Sequence, residues 1–175
     1  MVVLPQLGNV QVAIGKFEIS VADFNLYCSL SKQCSVLSAD SQHPVTGLSS
    51  AQVEDYARWL SERTGSSYRL PSVDEWQYAA NATSLEQPQD YNCRLTQGGT
   101  VLKGRSLIAV KAGRANAWGV VNYLGNAQEV VSQEGRLMAV GGHHKDKMSE
   151  CAITLSRSVP AEGDGLTGFR LIKEI

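Results

Sequence analysis

Residues 143–146 read His-His-Lys-Asp. Two imidazoles and a carboxylate are the side chains that hold a non-haem iron in facial triads. Adjacent histidines on a strand point to opposite faces, so His143 and His144 can reach one ion together only from a loop. The other reactive set is cysteine: Cys28, Cys34, Cys93 and Cys151. Four cysteines permit two disulfides in three connectivities. No pair has the Cys-x-x-Cys spacing of a redox site or the spacing of a zinc knuckle. Four idle thiols in a cytosolic protein are the alternative to a disulfide framework in an oxidising compartment. His43, ahead of Pro44, reads as a structural hydrogen-bonding residue.

These groups need a scaffold, and 175 residues suffice for one domain with a sizeable core. We expect a single domain over residues 1–175. The net charge of −1 gives no bulk pull toward nucleic acid or an anionic membrane. No apolar run approaches a membrane span, so insertion by this domain is not expected. The start, Met1-Val2-Val3-Leu4-Pro5, lacks the basic and apolar regions of a signal peptide. Its abruptness suggests a domain of a longer protein, with any targeting segment elsewhere.

Along the chain, residues 10–19 alternate through Val10, Val12, Ile14, Phe17 and Ile19, which predicts one or two strands with a turn at Gly15-Lys16. Ser20 is placed to cap a helix, with Asp23 in its first turn and Phe24, Tyr27 and Cys28 facing the core. Residues 30–42 are polar and serine-rich, a surface loop. Ser49 and Gln52 predict a capping box. Val53, Tyr56, Ala57 and Leu60 keep helical spacing, and Gly65 suits the stop. Tyr68 to Ala80 predicts a strand that ends at Pro71 and a helix boxed by Ser72 and Glu75. Residues 81–104 lose periodicity and read as loop, including Asn92-Cys93-Arg94 and Gln97-Gly98-Gly99. Residues 137–142 alternate, and Thr167–Ile172 reads as one closing strand.

The segment Leu70-Pro71, Asp74-Glu75-Trp76, Tyr78-Ala79-Ala80 resembles the signature of the formylglycine-generating enzyme family, the sulfatase-modifying-factor domains. Three further segments agree in order: His43-Pro44-Val45 before a helix holding Trp59, Gly119 to Glu129, and Gly168-Phe169-Arg170. The resemblance covers roughly residues 10–173. It implies an α+β, C-type-lectin-like fold with two or three short helices, twisted antiparallel strands and much irregular loop, whose first and last strands pair.

The same resemblance implies where chemistry would sit. Many members hold calcium at the positions of Asn122, Gly125, Ala127 and Glu129, two by side chain and two by carbonyl, a reasonable donor set for a hard cation. A second calcium site needs an aspartate within residues 92–112, which contain none. The oxidase members hold copper with two cysteines. Their positions here are Asp146 and Cys151, and a carboxylate does not replace a thiolate on Cu(I). The expectation is therefore a non-catalytic binding or sensor module, of the kind appended to bacterial signalling or secretion proteins. It would bind a protein, peptide or small ligand at the former active-site groove, near Trp118, His143, His144, Lys145, Asp146 and Arg157. One rival is an enzyme with a histidine-held metal at residues 143–146. The other is a diversified surface-displayed binder, although residues 137–170 lack the asparagine enrichment of such proteins.

For the cysteines, we expect Cys28–Cys34 and Cys93–Cys151. The first pair is local and joined by a flexible loop, so closure costs little. The second would staple the irregular segment before residue 104 to the loop above the groove. Other pairings would drag the Cys28 helix across the domain. Two bridges imply an extracytoplasmic location; free thiols imply a cytoplasmic one.

Overall fold

Three serines start three helices. In the computed structural model, which describes residues 1–5, 11–82, 91–159 and 162–175, the helices are α1 (Val21–Ser31), α2 (Ser50–Thr64) and α3 (Val73–Ala80). Ser20, Ser49 and Ser72 each accept a bond from the third helical amide, and Asp23, Gln52 and Glu75 each return one to the cap amide. Two otherwise orphaned donors are satisfied at each start. Gly65 ends α2 in the left-handed conformation, φ 67°.

The strands are β1 (Val2–Val3), β2 (Val12–Ile14), β3 (Tyr68–Arg69), β4 (Leu95–Gln97), β5 (Thr100–Lys103), β6 (Gln128–Gln133), β7 (Arg136–Val140), β8 (Ser156–Ser158), β9 (Thr167–Gly168) and β10 (Ile172–Glu174). One antiparallel sheet runs β1-β2-β10-β3 and places Ile14 opposite Ile172. The last strand thus pairs with β2, and the first strand, β1, lies on the far side of β2 instead of against β10. A second sheet runs β8-β7-β6-β9, with β6 and β9 parallel.

Two apolar clusters fill the interior. α1 and α2 bury Phe24, Tyr27, Val53 and Tyr56 against Phe169 and Leu171. α3 drives Trp76 into the other cluster, among Ile14, Leu124, Val131, Val140 and Ile172. Each such side chain is worth roughly 1.5–3 kcal/mol on burial.

The structure departs from the sequence reading in three places. Gln97-Gly98-Gly99 is the tip of a hairpin, β4–β5, and not loop. Gly98 and Gly99 both have positive φ, 56° and 79°, as a tight two-residue hairpin turn demands. The strands around that turn are mostly exposed, so no burial pattern signals them. The predicted closing strand is split: Thr167–Gly168 pairs with β6, and Ile172–Glu174 with β2 and β3. Between them Phe169, Arg170 and Leu171 cross the core. Finally, β2 is only three residues long, and all three are buried. Val10, expected in that alternation, lies outside the described residues, as does part of the segment 81–104.

Candidate functional site

Arg170 is fully buried because the chain crosses between sheets at that point. Its Nε donates to Glu129 Oε2 at 2.6 Å and its Nη2 to Glu129 Oε1. The remaining donors reach the carbonyls of Gly15, Lys16, Val121 and Asn122. Burial works against the guanidinium charge, but Glu129 outweighs it and holds the pKa above its ordinary value. Glu129, on β6, also accepts from Trp76 Nε1 at 2.7 Å, which joins α3 to the same knot.

Glu18 sits beside this knot and is also buried. Asn122 Nδ2 and Asn126 Nδ2 donate to it at 3.0 and 2.9 Å. Burial pushes its carboxyl up to about 8; Glu129 adds to the rise, and Arg170 and the Asn122 bond oppose it. Asn126 Oδ1 in turn accepts from Asn92 Nδ2 and from the Ile108 amide, both at 2.9 Å. The loop of residues 122–129 is therefore wound around Glu18.

The positions expected to hold calcium lie in this loop. Asn122, Gly125, Ala127 and Glu129 do lie on one tight loop, with Asn122, Gly125 and Asn126 at positive φ. But both oxygens of Glu129 are taken by Arg170 and one also by Trp76. A cation there would have to share its only side-chain carboxylate among the four positions with a buried guanidinium. Both Glu129 oxygens are thus committed to protein donors in this structure.

On the β8 side of the same end of β6 and β7 lies the loop that follows Val140. Arg157, on β8, grips Asp146 with two bonds, Nη1 to Oδ2 at 2.8 Å and Nη2 to Oδ1 at 2.7 Å. Asp146 Oδ2 also accepts from the His143 amide at 2.9 Å. Burial disfavours the Asp146 charge, yet Arg157 and that amide hold its pKa below the usual carboxylate range. Arg157 Nη1 further donates to Gln128 Oε1, and Gln128 Nε2 to Thr167 Oγ1, at 3.0 and 2.8 Å. Cys151 is bonded to Cys93, and Cys28 to Cys34.

Of the six predicted groove residues, His143, Asp146 and Arg157 come together, with exposed Lys145 beside them. Two do not join them. His144 points inward: it is buried, and its Nδ1 lies 3.3 Å from the Asn126 carbonyl. Trp118 packs on Tyr78 at 4.9 Å, on the α3 side. Burial lowers the pKa of both His143 and His144, so the neutral imidazoles are favoured. Among the described residues, no group of three His, Cys, Asp or Glu side chains is placed to hold a metal ion.

Glu18 escaped the sequence reading, and Asn126, Trp76 and Arg170 entered it only as motif residues. A signal for Glu18 was present: it is a lone acid between Phe17 and Ile19 in an apolar run.

Residues 12–175 match the family model of the sulfatase-modifying factor enzyme 1-like domain, and the chain belongs to that family. No curated protein sequence matches it significantly. Among solved structures it is similar to PvdO from Pseudomonas aeruginosa, with a TM-score of 0.78 and 17% identity over 94% of this chain and 81% of that one. CarF is similar with a TM-score of 0.74 and 18% identity over 99% of this chain and 97% of that one. Treponema denticola variable protein 1 follows with a TM-score of 0.72 and 14% identity over 98% and 91% of the two chains. At these identities the likeness establishes the shared fold, α+β and C-type-lectin-like.

Proposed function

We propose that this chain is a non-catalytic binding module of its family, acting in an oxidising, extracytoplasmic compartment. The observation that carries this reading is the state of the two copper positions. Asp146 is a carboxylate held by Arg157, and the sulfur of Cys151 is spent in a disulfide with Cys93. Two-coordinate Cu(I) needs two free thiolates. The Arg157–Asp146 pair instead gives a rigid polar surface at the base of the groove loop. His143 is half-buried there and Lys145 exposed.

The loop is flanked by two open cavities. One, about 540 Å³, is lined by Arg94, Leu95, Met148 and others; the second, about 470 Å³, by Gln77, Tyr78, Ile153 and others. A protein, peptide or small ligand could lie across this surface. The two disulfides support the oxidising compartment.

Copper retention tests the reading. Oxidised protein incubated with Cu(I) and desalted should retain none in stoichiometric amount. One equivalent held per chain, lost on Cys151→Ser, would overturn the proposal.

A further inference from the structure

Charge is segregated along the chain. Residues 91–128 contain Arg94, Lys103, Arg105, Lys111 and Arg114 and no aspartate or glutamate, although the whole chain is net −1. The fold gathers part of this stretch around one cavity of about 370 Å³, between the β4–β5 hairpin and the loop of residues 112–114. That volume is within the range of small-molecule sites. Arg105 and Arg114 stand on its rim, Ser106 adds a hydroxyl, and Asn92 and Asn122 line it further in. None of the described lining residues is acidic.

The two arginines are available. Arg114 is exposed and has no hydrogen-bond or ion-pair partner among the described residues. Arg105 is exposed and uses Nε on the Val101 carbonyl, at 2.9 Å. Its terminal nitrogens make no hydrogen bond to the described residues. Guanidinium forks of this kind match oxyanions in geometry as well as charge.

The inner wall is polar. Asn122 spends Nδ2 on Glu18, and its Oδ1 lies against Gly113 so closely that a Cβ there would come within 1.6 Å of it. Gly113 is what lets the amide approach, and the carbonyl oxygen left over is an acceptor suited to a ligand hydroxyl.

We propose that this cavity binds a small hydroxylated oxyanion, with its phosphate or carboxylate group held by Arg105 and Arg114 and its hydroxyls toward Asn122. The site is separate from the groove of residues 143–157, so it stands whether or not that groove binds a ligand.

Calorimetric titration of the intact protein at low ionic strength tests this, with glycerol phosphate and glycerate as alternative anions and glycerol as the uncharged control. At least one anion should bind saturably and glycerol should not. The arm that binds tells phosphate from carboxylate. The double substitution R105A/R114A should weaken binding about fivefold or more while leaving the melting temperature unchanged, because both side chains are exposed. Added salt should weaken binding as well. No saturable binding of either anion up to about 10 mM, near the weak end of specific recognition, would overturn the proposal. So would an affinity that the double substitution changes by less than about fivefold.

Discussion

Arg157 and Asp146 form a two-bond fork, 2.8 and 2.7 Å, in the loop that follows β7. The fork ties β8 to the groove loop and, through Gln128 and Thr167, to β6 and β9. Removing the guanidinium leaves a mostly buried carboxylate with only the His143 amide. Arg157→Ala should therefore destabilise the protein by about 1–3 kcal/mol, read by denaturant unfolding. The loss should shrink at a pH low enough to protonate Asp146. A variant as stable as the parent would show that the fork is incidental.

Arg170 and Glu129 should be far less forgiving. Both are buried, and Arg170 spends every donor. Breaking such a pair from one side costs about 3–5 kcal/mol, so Arg170→Met should fold poorly or unfold at much lower denaturant. Because Arg170 already neutralises Glu129, about 1 mM calcium should leave the melting temperature of the parent protein unchanged. A calcium-dependent rise that Glu129→Gln abolishes would show that the ion displaces the guanidinium.

Glu18 gives a pH signature of unusual sign. Its folded pKa, pushed up to about 8 by burial, lies above the ordinary value of 4.5, so between these values the folded state holds a proton that the unfolded state has lost. Stability from this group is therefore present below 4.5 and is lost as pH rises toward 8. His143 and His144, with pKa values lowered from 6.5, work in the opposite direction below that pH. The clean window is above it. Relative to Glu18→Gln, the parent should lose about 1–2 kcal/mol between roughly pH 6.5 and 8. Parallel stability curves for the two proteins would contradict the raised pKa.

The disulfides should differ in weight. By loop-closure entropy, Cys28–Cys34 is worth about 2 kcal/mol and Cys93–Cys151 about 4. The paired serine substitution at Cys93 and Cys151 should lower stability more than that at Cys28 and Cys34. The reverse order would mean that native packing, not chain closure, sets the effect.

What could be read from the sequence was local chemistry. Ser20, Ser49 and Ser72 each bond a residue three positions on, so their capping boxes are visible in any short window. The apolar spacing of α2 likewise fixes its buried face. Both disulfides followed from chain distance and loop placement. What failed depended on partners far along the chain. Glu18 is buried because Asn122 and Asn126 reach it from more than a hundred residues away. Thr167 to Ile172 looks continuous, yet two different sheets claim its ends. The β4–β5 hairpin has its turn glycines but mostly exposed strands, and periodicity reports only burial. In the groove, residue type placed Asp146 beside His143 but gave no sign that Arg157 would neutralise it or that His144 would turn inward.

The central claim, that this chain binds rather than catalyses, is tested most directly by turnover. The intact, oxidised protein is incubated with copper, oxygen and a cysteine-containing sulfatase peptide, and the peptide is followed by mass spectrometry. With Asp146 held by Arg157 and Cys151 held by Cys93, the peptide cysteine should remain unchanged at the level of a protein-free control. Conversion of that cysteine to formylglycine above the control, over multiple turnovers, would contradict the account.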